Sequence, residues 1–238
     1  MLEAINLTKT FRGGTRAIHD LSLRVPDGEL FCLLGANGAG KTTTLSCFLD
    51  FTVPSSGEAR VDGILVAESP KNAKRRCGYI DESVAVYDTL SAVENLRYFA
   101  RLGGVRLTRN AASRALTASG LDEYQQSRPV RQYSKGMRQK VAIAIALSRG
   151  AGNLLLDEPT SGLDPSAARE LMELLKGIRD DGCAILMSTH DVFRATEYAD
   201  RIGIMRAGSL VREVDPRLHD RRSVEAIYAD CVGAGMPA

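Results

Sequence analysis

The sequence predicts an α/β fold: a mostly parallel sheet covered on both faces, joined to an N-terminal antiparallel β subdomain and a helical subdomain. Three features carry this. Apolar runs without alternation at 29–35 (ELFCLLG), 153–157 (NLLLD) and 183–188 (CAILMS) suit strands buried on both faces. Between the last two lies SAARELMELLKGIRDDG, whose Leu171, Leu174, Leu175 and Ile178 recur at helical spacing. Strands alternating with helices in this way argue for a parallel sheet.

Taken in order, the opening LEAINLTKTF and the later DLSLRV alternate apolar and polar residues, as half-exposed antiparallel strands do. The buried strand 29–35 leads through a glycine-rich loop into a helix expected over 42–49. From about 83 to 134 the chain changes character, with helical patterns (SAVENLRYFARL, RNAASRALTASG) and no strong strand. A short helix, RRSVEAIYADCV, is expected in the tail, followed by an irregular end. The reading is one domain over 1–238: about 1–82 and 135–215 form the core and β subdomain, about 83–134 the helical subdomain, and about 216–238 the tail.

With 238 residues and 44% hydrophobic content the chain can bury a sizeable core. Lys plus Arg number 31 against 29 for Asp plus Glu, so a net charge of +2 disfavours a nucleic-acid partner. The five cysteines form no C-x-x-C pair, which suits reduced thiols in a cytosolic protein. No charged-then-apolar leader opens the sequence, and runs such as VAIAIAL at 141–147 fall short of the roughly 18 residues of a membrane span. If the protein works at a membrane, another component is expected to cross it.

Gly35-Ala36-Asn37-Gly38-Ala39-Gly40-Lys41-Thr42, followed by Thr43, fits G-x-x-x-x-G-K-[ST] between a strand and a helix. In such a loop backbone N–H groups cradle phosphate oxygens, the helix dipole adds its field, Lys41 reaches the terminal phosphates and the Thr42 hydroxyl can ligate Mg2+. This makes the α/β core that of a P-loop NTPase. The alternative, a turn that merely starts a helix, is disfavoured by the strand–loop–helix setting. Downstream, LLLDEP ends a strand in two carboxylates: Asp157 is placed to hold magnesium, and Glu158 to orient or deprotonate an attacking water. Alone, the pair could equally be solvated acids capping a strand.

YSKGMRQK at 133–140, then LLLDEPTSGLD, resembles the signature motif, Walker B strand and D-loop of the ATP-binding subunits of ABC transporters. GANGAGKTTT is similar to that family's Walker A, and STH at 188–190 to its switch histidine; the resemblance runs over about 2–211. It implies the ABC ATPase fold, ATP and Mg2+ as cofactors, and ATP hydrolysis that powers solute export or translocation through a membrane permease. It further implies that Phe11 stacks on adenine, the alternative being a core phenylalanine. Ser134 and Gly136 would touch the γ-phosphate held by a second subunit, although an ordinary N-capped helix is the plain reading of that stretch. Asp164, implied to cross a dimer interface, is with Pro165 also a good helix start. His190 would contact the γ-phosphate; only three histidines occur and nothing pairs them as metal ligands.

The sequence departs from the pattern in places. Glu82 stands where the family has a glutamine that contacts magnesium and links to the permease; a carboxylate coordinates the metal but donates no hydrogen bond. Lys135 stands where the commonest signature has glycine, and Met137 where it has glutamine. These features and the Ser-Val-Glu-x-Ile-Tyr tail resemble bacterial export-type subunits that work with a separate permease. The implied partners are that permease and a second ATP-binding subunit, expected as a homodimer at the cytoplasmic face of the inner membrane, peripheral and touching the membrane only through the permease. A cytosolic ABC-type assembly ATPase is the rival. A GTPase or small kinase is not, because no N-K-x-D motif occurs. Solute and direction of transport are not legible.

Overall fold

Strands β1 (Leu2–Thr10) and β2 (Arg16–Val25) pair antiparallel, and β4 (Ser56–Val61) with β5 (Ile64–Leu65) completes a four-stranded antiparallel sheet in the order β2-β1-β4-β5. The computed structural model describes residues 1–233. The alternation of the opening strands is borne out at Leu2 and Ala4 of β1 and at Leu21, Leu23 and Val25 of β2, whereas at Asn6 (φ 48°) a register shift interrupts it, so that Leu7 is the next buried residue of β1.

The second sheet has six strands in the order β10-β9-β3-β8-β7-β6, with β3 (Leu30–Leu34), β6 (Cys77–Ile80), β7 (Asn153–Asp157), β8 (Ala184–Thr189), β9 (Arg201–Arg206) and β10 (Ser209–Val214). All neighbours are parallel except β9 and β10. Strand β3 shows why the apolar runs do not alternate. Leu30, Cys32 and Leu34 pack into one core with α7 (Pro165–Asp180) and α8 (Val192–Tyr198), while Phe31 and Leu33 pack into a second core beneath the antiparallel sheet. One face of the parallel sheet is therefore covered by helices, the other by α1 (Lys41–Phe48) and the second sheet.

A third core lies among α3 (Ala92–Leu102), α4 (Arg109–Ala118), α5 (Glu123–Gln126) and α6 (Lys135–Ser148). Helix α6 joins this unit to the sheet, since Val141, Ala144 and Ile145 face the helices while Ile143 and Ala146 face the first core. Helix α2 (Pro70–Arg75) bridges the two sheets in sequence, and the tail carries α9 (Arg221–Gly233); the expected irregular end, 234–238, lies outside the described residues.

The β9–β10 hairpin is not apparent from the sequence pattern. Its turn places Ala207 at φ 46° and Gly208 at φ 84°, the left-handed pair of a type I′ turn, without the asparagine that ordinarily marks one. Burial pushes the thiols of Cys47 and Cys183 up to about 11 and that of Cys77 up to about 12, so these cysteines behave as small core hydrophobes.

Candidate nucleotide site

The loop between β3 and α1 is fixed by two close backbone approaches. A Cβ on Gly35 would stand 2.6 Å from the Met205 carbonyl oxygen on β9, and one on Gly40 would stand 2.4 Å from the Ala17 carbonyl oxygen on β2. Gly40 also has φ 103°, which L side chains rarely adopt. Glycine is required at both positions, and the loop is thereby wedged between the sheets along the wall of a cleft of about 460 Å³.

That cleft is lined by Phe11, Ala36, Asn37, Gly38, Ala39, Gly40, Lys41, Thr42 and Thr43, together with Arg16, Asp81, Glu82, Asp157 and Glu158. Parallel pairing does the gathering: β3, β8 and β7 are adjacent, so their C-terminal ends bring the loop, His190 and the two carboxylates to one edge. Lys41 Nζ donates to the Gly35 carbonyl at 2.6 Å and to that of Ala36 at 3.3 Å. It also lies 3.3 Å from Glu158 Oε1.

Glu158 is constrained through both its backbone and its carboxylate. Its backbone takes φ 47°, a strained value for a non-glycine residue. Ser188 holds it there: its hydroxyl accepts the Glu158 N–H at 3.0 Å and donates to Asp157 Oδ1 at 2.5 Å. Gln139 of α6, fully buried, donates to the Pro159 carbonyl just beyond. Glu158 Oε2 lies 2.9 Å from His190 Nδ1, whereas Oε1 is buried, in ion-pair range of Lys41, and makes no hydrogen bond. An acceptor so placed beside a phosphate-cradling loop can take a proton from a water.

The donor set fits a magnesium ion bound with a phosphate chain. Thr42 supplies a hydroxyl and Asp157 and Glu82 supply carboxylates to one cleft, and Mg2+ needs only one or two protein oxygens when phosphates and water complete its octahedron. No group of three or more His, Cys, Asp or Glu side chains forms a self-sufficient metal cage among the described residues.

Each of the remaining candidate residues has a definite place in the structure. Phe11 is 43% exposed at the cleft rim, with Lys9 Nζ 5.1 Å from its ring centroid, so it is not a core residue. Phe11→Ala is expected to weaken ATP binding roughly tenfold, because aromatic–base stacking is worth about 1–3 kcal/mol. Titration calorimetry checks this, and unchanged affinity would remove the residue from the site.

Ser134 caps α6, accepting the Met137 N–H at 3.3 Å, and Asp164 caps α7, accepting from Ser166 and Ala167 at 3.0 Å each. Neither they nor Gly136 line the cleft of their own chain. Glu82 does line it, but its Oε1 accepts from the Ser161 hydroxyl at 2.8 Å and from Lys135 Nζ at 3.4 Å. Those two donors hold its carboxyl below the ordinary range. Ser188 and Gln139 were not singled out from sequence; their only signals are a polar residue inside a buried strand and a buried amide in an apolar helix face.

The family model described as ABC transporter matches residues 18–161. The ATP-binding cassette sub-family A member 7 of Rattus norvegicus is 41% identical over 207 residues, 85% of this chain. The chain spans only 9% of that protein's length and 10% of the mouse counterpart's. The bacitracin transport ATP-binding protein BcrA of Enterococcus faecalis is 36% identical over 93% of this chain and 71% of its own. Among solved structures, a dimeric ATP-binding cassette, MJ0796, in a post-hydrolysis state with ADP and Pi superposes with TM-score 0.80 at 28% identity, covering 91% of this chain and 99% of that one. A structure described as the ATP binding subunit of an ABC transporter gives 0.81 at 28% identity over 96% and 99%. With the strand–loop–helix cradle, the carboxylate pair and this coverage, the chain belongs to the ABC transporter family, as one of its ATPase cassettes.

Proposed function

We propose that two copies of this chain close head to tail around two ATP molecules, and that the cycle of closure and reopening drives a membrane permease in solute export or translocation. The observation that carries the reading is a division of labour. One chain lines one cleft with 36–43, Asp157 and Glu158 and sets His190 against Glu158, while the capped start of α6, with the exposed Ser134, lies outside that lining. A helix N-terminus outside its own chain's cleft suits the terminal phosphate of a nucleotide held by another copy.

In the closed pair, the loop N–H groups and Lys41 position the triphosphate, and Ser134 and Gly136 of the partner subunit grip its far end. Thr42 and Asp157 would hold Mg2+, which would neutralise charge on the phosphates, while Glu82 Oε1 stays with Ser161 and Lys135. Glu158 Oε1 takes the proton of the attacking water and His190 orients Glu158 through Oε2. Hydrolysis is then largely positioning and electrostatic stabilisation. ATP bridges the copies and ADP with phosphate does not, so binding favours closure and hydrolysis releases it.

No helix among the described residues is long and apolar enough to cross a membrane. A groove of about 420 Å³ adjoins the cleft, lined by Phe51, Tyr79, Val84, Val86 and Phe99 among others. This groove is where the permease docks in our reading, which keeps the cassette peripheral at the cytoplasmic face. It favours transport over a cytosolic assembly role. Specific ATPase activity is expected to rise with protein concentration, and Ser134→Arg to lower it roughly 100-fold while single-chain ATP binding persists. Full activity of a dilute monomer, indifferent to Ser134, would refute the composite site.

A further inference from the structure

Glu82 and Lys135 are 53 positions apart, yet Lys135 Nζ lies 3.4 Å from Glu82 Oε1, the same oxygen that takes the Ser161 hydroxyl. The contact joins the loop after β6, the first residue of α6 and the turn before α7. Lys135 reaches it across Gly162, where a Cβ would stand 3.6 Å from its amine.

The electrostatic setting makes this contact more than an incidental surface pair. Glu82, Asp81, Asp157 and Glu158 all line the cleft, against Lys41 and Arg16. A triphosphate entering there meets like charges at close range, and of the four carboxylates Glu82 is the one whose charge is met by a lysine from outside the cleft wall. We propose that Lys135 is a positioning residue for nucleotide binding: with Ser161 it turns the Glu82 carboxylate toward the start of α6 and offsets its charge, so that a glutamate can stand in the wall of a polyanion site. Lys135 acts through Glu82 and does not touch the nucleotide of its own chain. The inference rests on the reading of the cleft as an ATP site.

The test is a double-variant cycle on Mg-ATP affinity, measured by titration calorimetry with Lys135→Met, which keeps the apolar stem over Gly162, with Glu82→Gln, and with both. The side chains are about one-third and one-half exposed, so the effect is modest: Lys135→Met should weaken binding roughly three- to fivefold at low salt, less as ionic strength rises. In the Glu82→Gln background the same change should do nothing, and Lys135→Arg should bind as the parent does. An equal loss in both backgrounds would mean that Lys135 acts on the nucleotide directly, and no loss in either that the pair is idle. Either result overturns the proposal while leaving the ATP site intact. Failure of the parent chain to bind Mg-ATP would instead refute the site and the proposal together. Thermal melting of each variant separates misfolding from these outcomes.

Discussion

Glu158→Gln is expected to bind ATP with near-parental affinity and to hydrolyse it at least 100-fold more slowly. The substitution preserves shape and the strained backbone at φ 47°, because the Ser188 contact is made to the main-chain N–H. What it removes is the basicity of Oε1, the buried oxygen that faces Lys41 at 3.3 Å without a hydrogen bond. A positioned general base contributes about 10²–10⁴-fold to a rate, which sets the expected loss. With turnover blocked, ATP-bound pairs should accumulate. Phosphate release measured alongside size-exclusion chromatography with ATP checks both halves. A variant that turns over at the parental rate would remove Glu158 from its role.

Lys41→Ala should show the opposite pattern, in which binding fails first. The side chain is only 6% exposed, and its amine is committed to the loop carbonyls of Gly35 and Ala36 as well as to Glu158. Its three protons can be shared between those carbonyls and phosphate oxygens, and a hydrogen bond to a charged group is worth about 1.5–3 kcal/mol. ATP affinity is therefore expected to fall roughly 10- to 100-fold. The change also leaves Glu158 beside the phosphates without its nearest cation, which deepens the loss for ATP relative to adenosine. Competition titration with adenosine, ADP and ATP reads this. Equal weakening of all three would point to a collapsed loop instead of a lost phosphate contact.

How much of this could be read from the chain depends on how far apart the interacting groups lie. The cradle of 35–42 is a continuous stretch whose glycine spacing carries its own geometry, and the strand before it announces itself by an unbroken apolar run. The caps at Ser134 and Asp164 are likewise local, each a side chain bonding an N–H two or three residues on. Phe11, in contrast, could have been core or rim on sequence grounds, since an aromatic after an alternating strand fits either; only its place at the cleft, 43% exposed, separates the two. Strands β9 and β10 were illegible because their turn lacks the usual residue, although β9 supplies the carbonyl that demands glycine at 35.

The sequence by itself determined the α/β class, the phosphate-cradling loop and the family, because each rests on residues adjacent in the chain or on the order of short motifs. The tertiary structure alone decided strand order, and with it which distant groups meet. Ser188 reaches Glu158 only because β7 and β8 are neighbours, and Glu82 reaches Lys135 only because α6 starts beside the loop after β6. A hydrogen bond or ion pair needs its partners within about 3–4 Å, and for groups far apart in sequence that distance is set by the packing of the sheets and helices, not by any local pattern.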